Sequence, residues 1–95
     1  MRNFDREKED YNFIVNFIEK NGYKEGNELE TEMYPENDHT DGQNYAFIPA
    51  IIMIWQAENG DIIFKDENGG ERSIDDLDGT ELCQVREDLE IFHGA

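Results

Sequence analysis

One cysteine, one serine and two histidines are all this chain offers of catalytic thiol, serine hydroxyl and imidazole, and its carboxylates are so many that no chosen pair is informative. Cys83 has no partner for an intrachain disulfide, and its apolar periodic surroundings read as packing rather than as a reactive thiol. Ser73 lacks the flanking glycines of a nucleophile elbow. His39 sits in a polar stretch and His93 near the end of a helical segment, and with one cysteine they make no zinc-ligand spacing. Phosphate-binding and dinucleotide-binding glycine patterns are missing too. Calcium loops fail in both frames that come close. One starting at Asn37 reaches Ile48 where a bidentate Glu is needed, and one starting at Asp66 has Glu71 where the turn glycine belongs. The expectation is a protein that is no enzyme and has no cofactor and no metal.

Long apolar runs are missing as well. The longest, residues 46–55, is interrupted by Pro49 and is too short to cross a bilayer. Residues 1–10 are charged and hold no stretch of signal-peptide type. The expected location is the cytoplasm, and the negative charge opposes anionic membranes. Basic residues are scarce and scattered: Arg2, Arg6, Lys8, Lys20, Lys24, Lys65, Arg72 and Arg86 form no stripe with interleaved aromatics. Direct nucleic-acid binding is therefore excluded as an expectation.

What the chain has is acid. Its 24 Asp and Glu against 8 Lys and Arg give a net charge of -16. A globule of this mass exposes roughly 5,600 Å², or about one net negative charge per 350 Å². Duplex DNA carries one charge per ~1.7 Å of axis, so the same charge sits on about 27 Å of duplex, close to the ~30 Å diameter of such a globule. Disorder does not follow, because 37% hydrophobic and 12% aromatic residues are too many for an acidic tail. Residues 1–95 read as a single folded domain.

Residues 5–21 predict a helix with Tyr11, Ile14, Val15 and Ile18 inward, Phe13 and Phe17 widening the stripe, and Gly22 as its left-handed cap. Residues 28–34 alternate, with Leu29, Thr31 and Met33 on one side and Glu28, Glu30, Glu32 and Tyr34 on the other. That is an edge strand with a charged face. Residues 36–44 are a polar loop, and 45–57 is the most apolar stretch, read as a central strand. Asn59-Gly60 predicts a type I′ hairpin into a strand over 61–65, and Asn68-Gly69-Gly70 turns the chain into a short strand over 71–74. Asp78 and Glu81 form a capping box for a last helix, Leu77 and Leu82 its staple. Its inward stripe is Leu82, Val85, Leu89 and Phe92. The fold class is α+β: a two-layer domain of three to four antiparallel strands with both terminal helices on one face.

Function then rests on where the carboxylates gather. Same-face residues two apart on a strand stand about 6.7 Å apart, so Glu28, Glu30 and Glu32 could stand in for backbone phosphates. They are equally the solvated face of an edge strand. Asp75 and Asp76 extend this surface or serve the helix start, and Glu36, Asp38 and Asp41 extend it or are a soluble loop. Tyr34 and Tyr45 flank that loop as candidate aromatic anchors. Small size and strong negative charge suggest, by analogy, the phage-encoded or mobile-element proteins that block host nucleases in the bacterial cytoplasm. The expected partner is a basic nucleic-acid-binding protein, with no direct contact to nucleic acid or membrane. Self-assembly into a homodimer, or packing as a subunit through the apolar 45–57 region, is the alternative.

Overall fold

The computed structural model describes residues 4–33 and 49–94. Helix α1 (Phe4–Lys20) leads to strand β1 (Leu29–Met33), then β2 (Ile51–Gln56), β3 (Ile62–Asp66) and β4 (Glu71–Ser73). A short 3-10 turn (Ile74–Asp76) follows, and helix α2 (Gly79–Phe92) comes last. The strands form one antiparallel meander in the order β1-β2-β3-β4. This is the α+β arrangement the sequence implies.

α1 ends where its C-terminal signal says it should. Gly22 takes φ 71, its N–H donates to Glu19 O, and the N–H of Tyr23 donates to Ile18 O. Those two bonds are a Schellman cap, which satisfies carbonyls the helix leaves open. Tyr23 then packs back on the core and lies 6.3 Å from the Phe17 ring. At the other end of the chain, the Asp78 carboxylate accepts from Glu81 N–H and Glu81 returns the bond to Asp78 N–H, completing the capping box. Leu77 and Leu82, the staple, are both buried in the same cluster.

The core joins the two helices to one face of the sheet. Ile14 and Ile18 of α1 and Leu82, Val85 and Leu89 of α2 meet Leu29, Met33, Ile51, Ile54, Ile62 and Phe64. Because successive strand residues alternate, Trp55 and Ile63, paired across β2 and β3, lie on the opposite face. Trp55 is nevertheless only 8% exposed.

Three details differ from expectation. The first hairpin is not type I′, which needs positive φ at both central residues. Gly60 has φ 92 but Asn59 is not positive, and Gly60 N–H donates to Ala57 O while Ala57 N–H donates to Asp61 O. This is a three-residue loop, a type I turn closed by a left-handed glycine. The second hairpin repeats it, with Gly69 at φ 86, Gly69 N–H on Asp66 O and Asp66 N–H on Gly70 O. The shared Glu-Asn-Gly of 58–60 and 67–69 is thus one structural device used twice.

Phe92 is the second difference. It is 73% exposed rather than inward, and Ile91 beside it is 69% exposed. The buried apolar stripe runs as far as Leu89; one turn later His93 takes the inward place and its Nε2 lies 3.3 Å from Thr31 Oγ1 of β1.

Third, Asp10 of α1 is 1% exposed, a burial that no local sequence feature anticipates. Arg86 of α2 donates to it at 3.0 Å, stacks over Phe13 at 5.2 Å from the ring centre, and lies 3.1 Å from Glu90.

Candidate functional site

Among the described residues β1 is an edge strand, with β2 as its one strand neighbour. Glu30 and Glu32 are exposed on it, and both alternate with the buried Leu29 and Met33. The pairing with β2 slips between Glu30 and Met33, a bulge of the kind that bends and protects edge strands. Glu28 stands just before the strand. Its carboxylate accepts the Gly26 N–H at 2.8 Å. That bond, helped by the charge of Lys65, holds Glu28 below the usual carboxylate range.

Cross-strand pairing extends the Glu30 position over the whole face. Glu30 pairs with Met53, Met53 with Lys65, and Lys65 with Glu71 of the opposite edge. With strands ~4.8 Å apart, the two glutamates bracket the face at about 14 Å, with one lysine between them.

The second acidic set is built around Ser73. Its hydroxyl donates to Asp61 Oδ1 at 2.8 Å and accepts from Asp75 N–H, while its own N–H donates to the Asp76 carboxylate at 3.2 Å. Asp76 and Ser73 thereby make a second capping box, for the 3-10 turn. Asp75 accepts the Tyr11 hydroxyl at 3.0 Å. Burial, then Asp75 itself, pushes the Tyr11 hydroxyl up and keeps it a donor. Asp78 and Glu81 follow immediately, and Arg72 reaches Glu81 at 2.9 Å. Asp75 and Asp76 therefore have structural work, although both carboxylate residues are exposed.

The structure does not merge the two sets. Glu28, Glu30 and Glu32 belong to the β1 edge, and Asp75 and Asp76 follow β4 on the other edge. Tyr34, Glu36, Asp38, Asp41 and Tyr45 lie outside the described residues. Asp61 and Glu71 join the acidic surface without having been singled out in the sequence. Asp61 could have been found from the repeated Glu-Asn-Gly turn, which places the following residue at the start of a paired strand. Glu71 needed the register.

Cys83 lies half-buried between the helices, 3.5 Å from an Arg6 guanidinium nitrogen and 3.7 Å from Glu87 Oε1. Burial, then Glu87, pushes its thiol up, which works against a nucleophilic role. Among the described residues no group of three or more His, Cys, Asp or Glu could hold a metal ion, and no helix is long and apolar enough to cross a membrane. The chain matches no protein-family model, no curated protein and no solved structure.

Proposed function

We propose that this protein is an acidic, non-enzymatic binding protein that inhibits a basic nucleic-acid-binding protein by presenting carboxylates where that protein expects phosphates. The observation that carries the reading is the β1 edge, where Glu30 and Glu32 stand exposed on a hydrogen-bonded strand and the Glu28 carboxylate is fixed by the Gly26 N–H. A fixed carboxylate loses less entropy on pairing with a guanidinium than one on a flexible tail. The partner glutamate at the far edge, Glu71, gives a spacing of about 14 Å across the face, of the order of the ~12 Å major groove that phosphate rows flank. Long-range attraction would speed encounter, and carboxylate–guanidinium pairs would hold the complex. A bacterial cytoplasm invaded by a phage or mobile element is the setting that fits such an inhibitor.

The test is capture from a bacterial lysate on the immobilised protein at low and high salt, with identification of what elutes. Nucleic-acid-binding proteins released by salt and by added duplex DNA support the reading. Capture that ignores both would end it.

Self-assembly has one observation in its favour, the exposure of Ile91 and Phe92. Residues 51–56 of the apolar region form an interior strand paired on both edges, so assembly there would use the sheet face and not strand addition. A mass of twice the monomer that salt does not change would favour assembly.

A further inference from the structure

The chain contains three Asn-Gly pairs in described positions, at 21–22, 59–60 and 68–69, and all three glycines have positive φ. Asn-Gly is the pair in which a backbone nitrogen most readily attacks the preceding side-chain amide, since glycine has no Cβ to obstruct the approach. The structure holds the three nucleophiles alike. Gly22 N–H donates to Glu19 O at 3.1 Å, Gly60 N–H to Ala57 O at 2.9 Å, and Gly69 N–H to Asp66 O at 3.0 Å. The three side-chain amides differ. Asn21 Nδ2 donates to Phe17 O at 2.8 Å, and Asn59 Oδ1 accepts Asp61 N–H at 3.0 Å. The amide of Asn68 makes no hydrogen bond among the described residues; only its backbone N–H is held, by Asp66 Oδ1 at 2.9 Å.

We propose that Asn68 is the fastest site of spontaneous deamidation through a cyclic imide among the three described Asn-Gly pairs. The Gly69 nitrogen forms a bond to Asn68 Cγ and gives up its proton, and the Cγ–NH2 bond breaks with release of ammonia. Solvent water then opens the ring at either carbonyl, leaving Asp or an isoaspartyl linkage at residue 68. No oxidant, metal or enzyme is required. Either product adds a negative charge, and the isoaspartyl form lengthens the backbone inside the three-residue loop that sets β3 against β4. β4 is only three residues long, and it positions Arg72 for Glu81 and Ser73 for the capping of the 3-10 turn. The modification therefore loosens the edge that carries the second acidic set, independently of what that set binds.

The experiment is incubation of the full chain at mildly alkaline pH, with peptide mapping by mass spectrometry to follow ammonia loss and the Asp and isoaspartyl products at each site. Asn68 is expected to react faster than both Asn21 and Asn59. The margin over Asn21 is roughly two- to twelvefold, since the leaving Nδ2 of Asn21 must give up one net hydrogen bond. Asn59 is slowed by the side-chain rotation that its Oδ1 bond to Asp61 N–H restrains. In urea the three rates should converge, and Asn68→Gln should remove the leading product from the folded chain. Equal rates in the folded chain, or Asn21 or Asn59 leading, would overturn the proposal. So would the same ranking persisting in urea, since it would then come from neighbouring sequence and not from the fold.

Discussion

The guanidinium of Arg86 donates at 3.0 Å to Asp10, a carboxylate 1% exposed on the facing helix. One oxygen of Asp10, Oδ2, is buried without a hydrogen-bond partner among the described residues, so the Arg86 bond carries most of the compensation for a desolvated carboxylate. Truncation of Arg86 leaves Asp10 stranded, whereas Arg86 without Asp10 keeps Glu90 at 3.1 Å. Arg86→Ala is expected to cost about 3–5 kcal/mol, whereas Asp10→Leu with Arg86→Met should recover much of the loss, because buried pairs are often replaceable by apolar packing. Denaturant unfolding of the two single variants and the double variant measures both quantities. A cost below about 1 kcal/mol for Arg86→Ala would remove the pair from the account of how the helices dock.

Two carboxylates should respond to pH with opposite sign. Burial raises Asp88 above its ordinary value, against the lowering effect of its bond from Gln84, so its contribution to stability is present in acid and lost as pH rises through the folded value. Asp88→Asn is therefore expected to melt higher than the parent at neutral pH, with the gap closing as the medium is acidified. The backbone bond from Gly26 lowers Glu28, so its contribution is present above the unfolded value and lost as pH falls through the folded one. Glu28→Gln should melt lower than the parent at neutral pH and converge with it in acid. Thermal scans of both variants across this range check the signs.

Exposure separates the last turn of α2 from the stripe before it. Ile91→Ser and Phe92→Ser should each change stability by no more than about 0.5 kcal/mol, while Leu89→Ala, fully buried one turn earlier, should cost about 2–5 kcal/mol. Chemical denaturation of the three variants makes the comparison. An equal cost at Phe92 and Leu89 would restore the inward stripe that periodicity suggests.

The loop geometry yields its own contrast. Gly60 is left-handed at φ 92 with open space around its absent Cβ, so Gly60→Ala is penalised by backbone strain alone, about 1–2 kcal/mol. Asn59→Ala should lose about 1 kcal/mol or less, the net value of its exposed bond to Asp61 N–H. A type I′ turn would instead make Asn59 hard to replace, because both central residues would need positive φ. Unfolding midpoints of the two variants discriminate the turns.

Much of this architecture could be read from residues acting locally. Gly22 with Tyr23, Asp78 with Glu81, and Leu77 with Leu82 each declare a helix end within a few positions, and the structure realises all three. The alternation of β1 is equally local. What could not be read depends on pairing across the fold. The burial of Asp10 is decided by Arg86, which is far away in sequence, and at the end of α2 it is His93, not Phe92, that meets Thr31 of β1. The separation of the two acidic sets follows from strand order, since a meander sends β1 and β4 to opposite edges while the sequence shows only two acidic stretches. Trp55 escaped for the same reason: the apolar run at 51–55 does not say which members face the helices.

The most direct test of the central idea is the slope of log Kd against log salt for a partner captured from lysate, measured for the parent and for a Glu30→Lys, Glu32→Lys variant. Phosphate mimicry by β1 predicts weakening with salt in the parent, and in the variant a much weaker complex with a shallower slope, because each carboxylate that replaces a phosphate contact contributes to the ionic term. An affinity and slope unchanged by the reversal would contradict it.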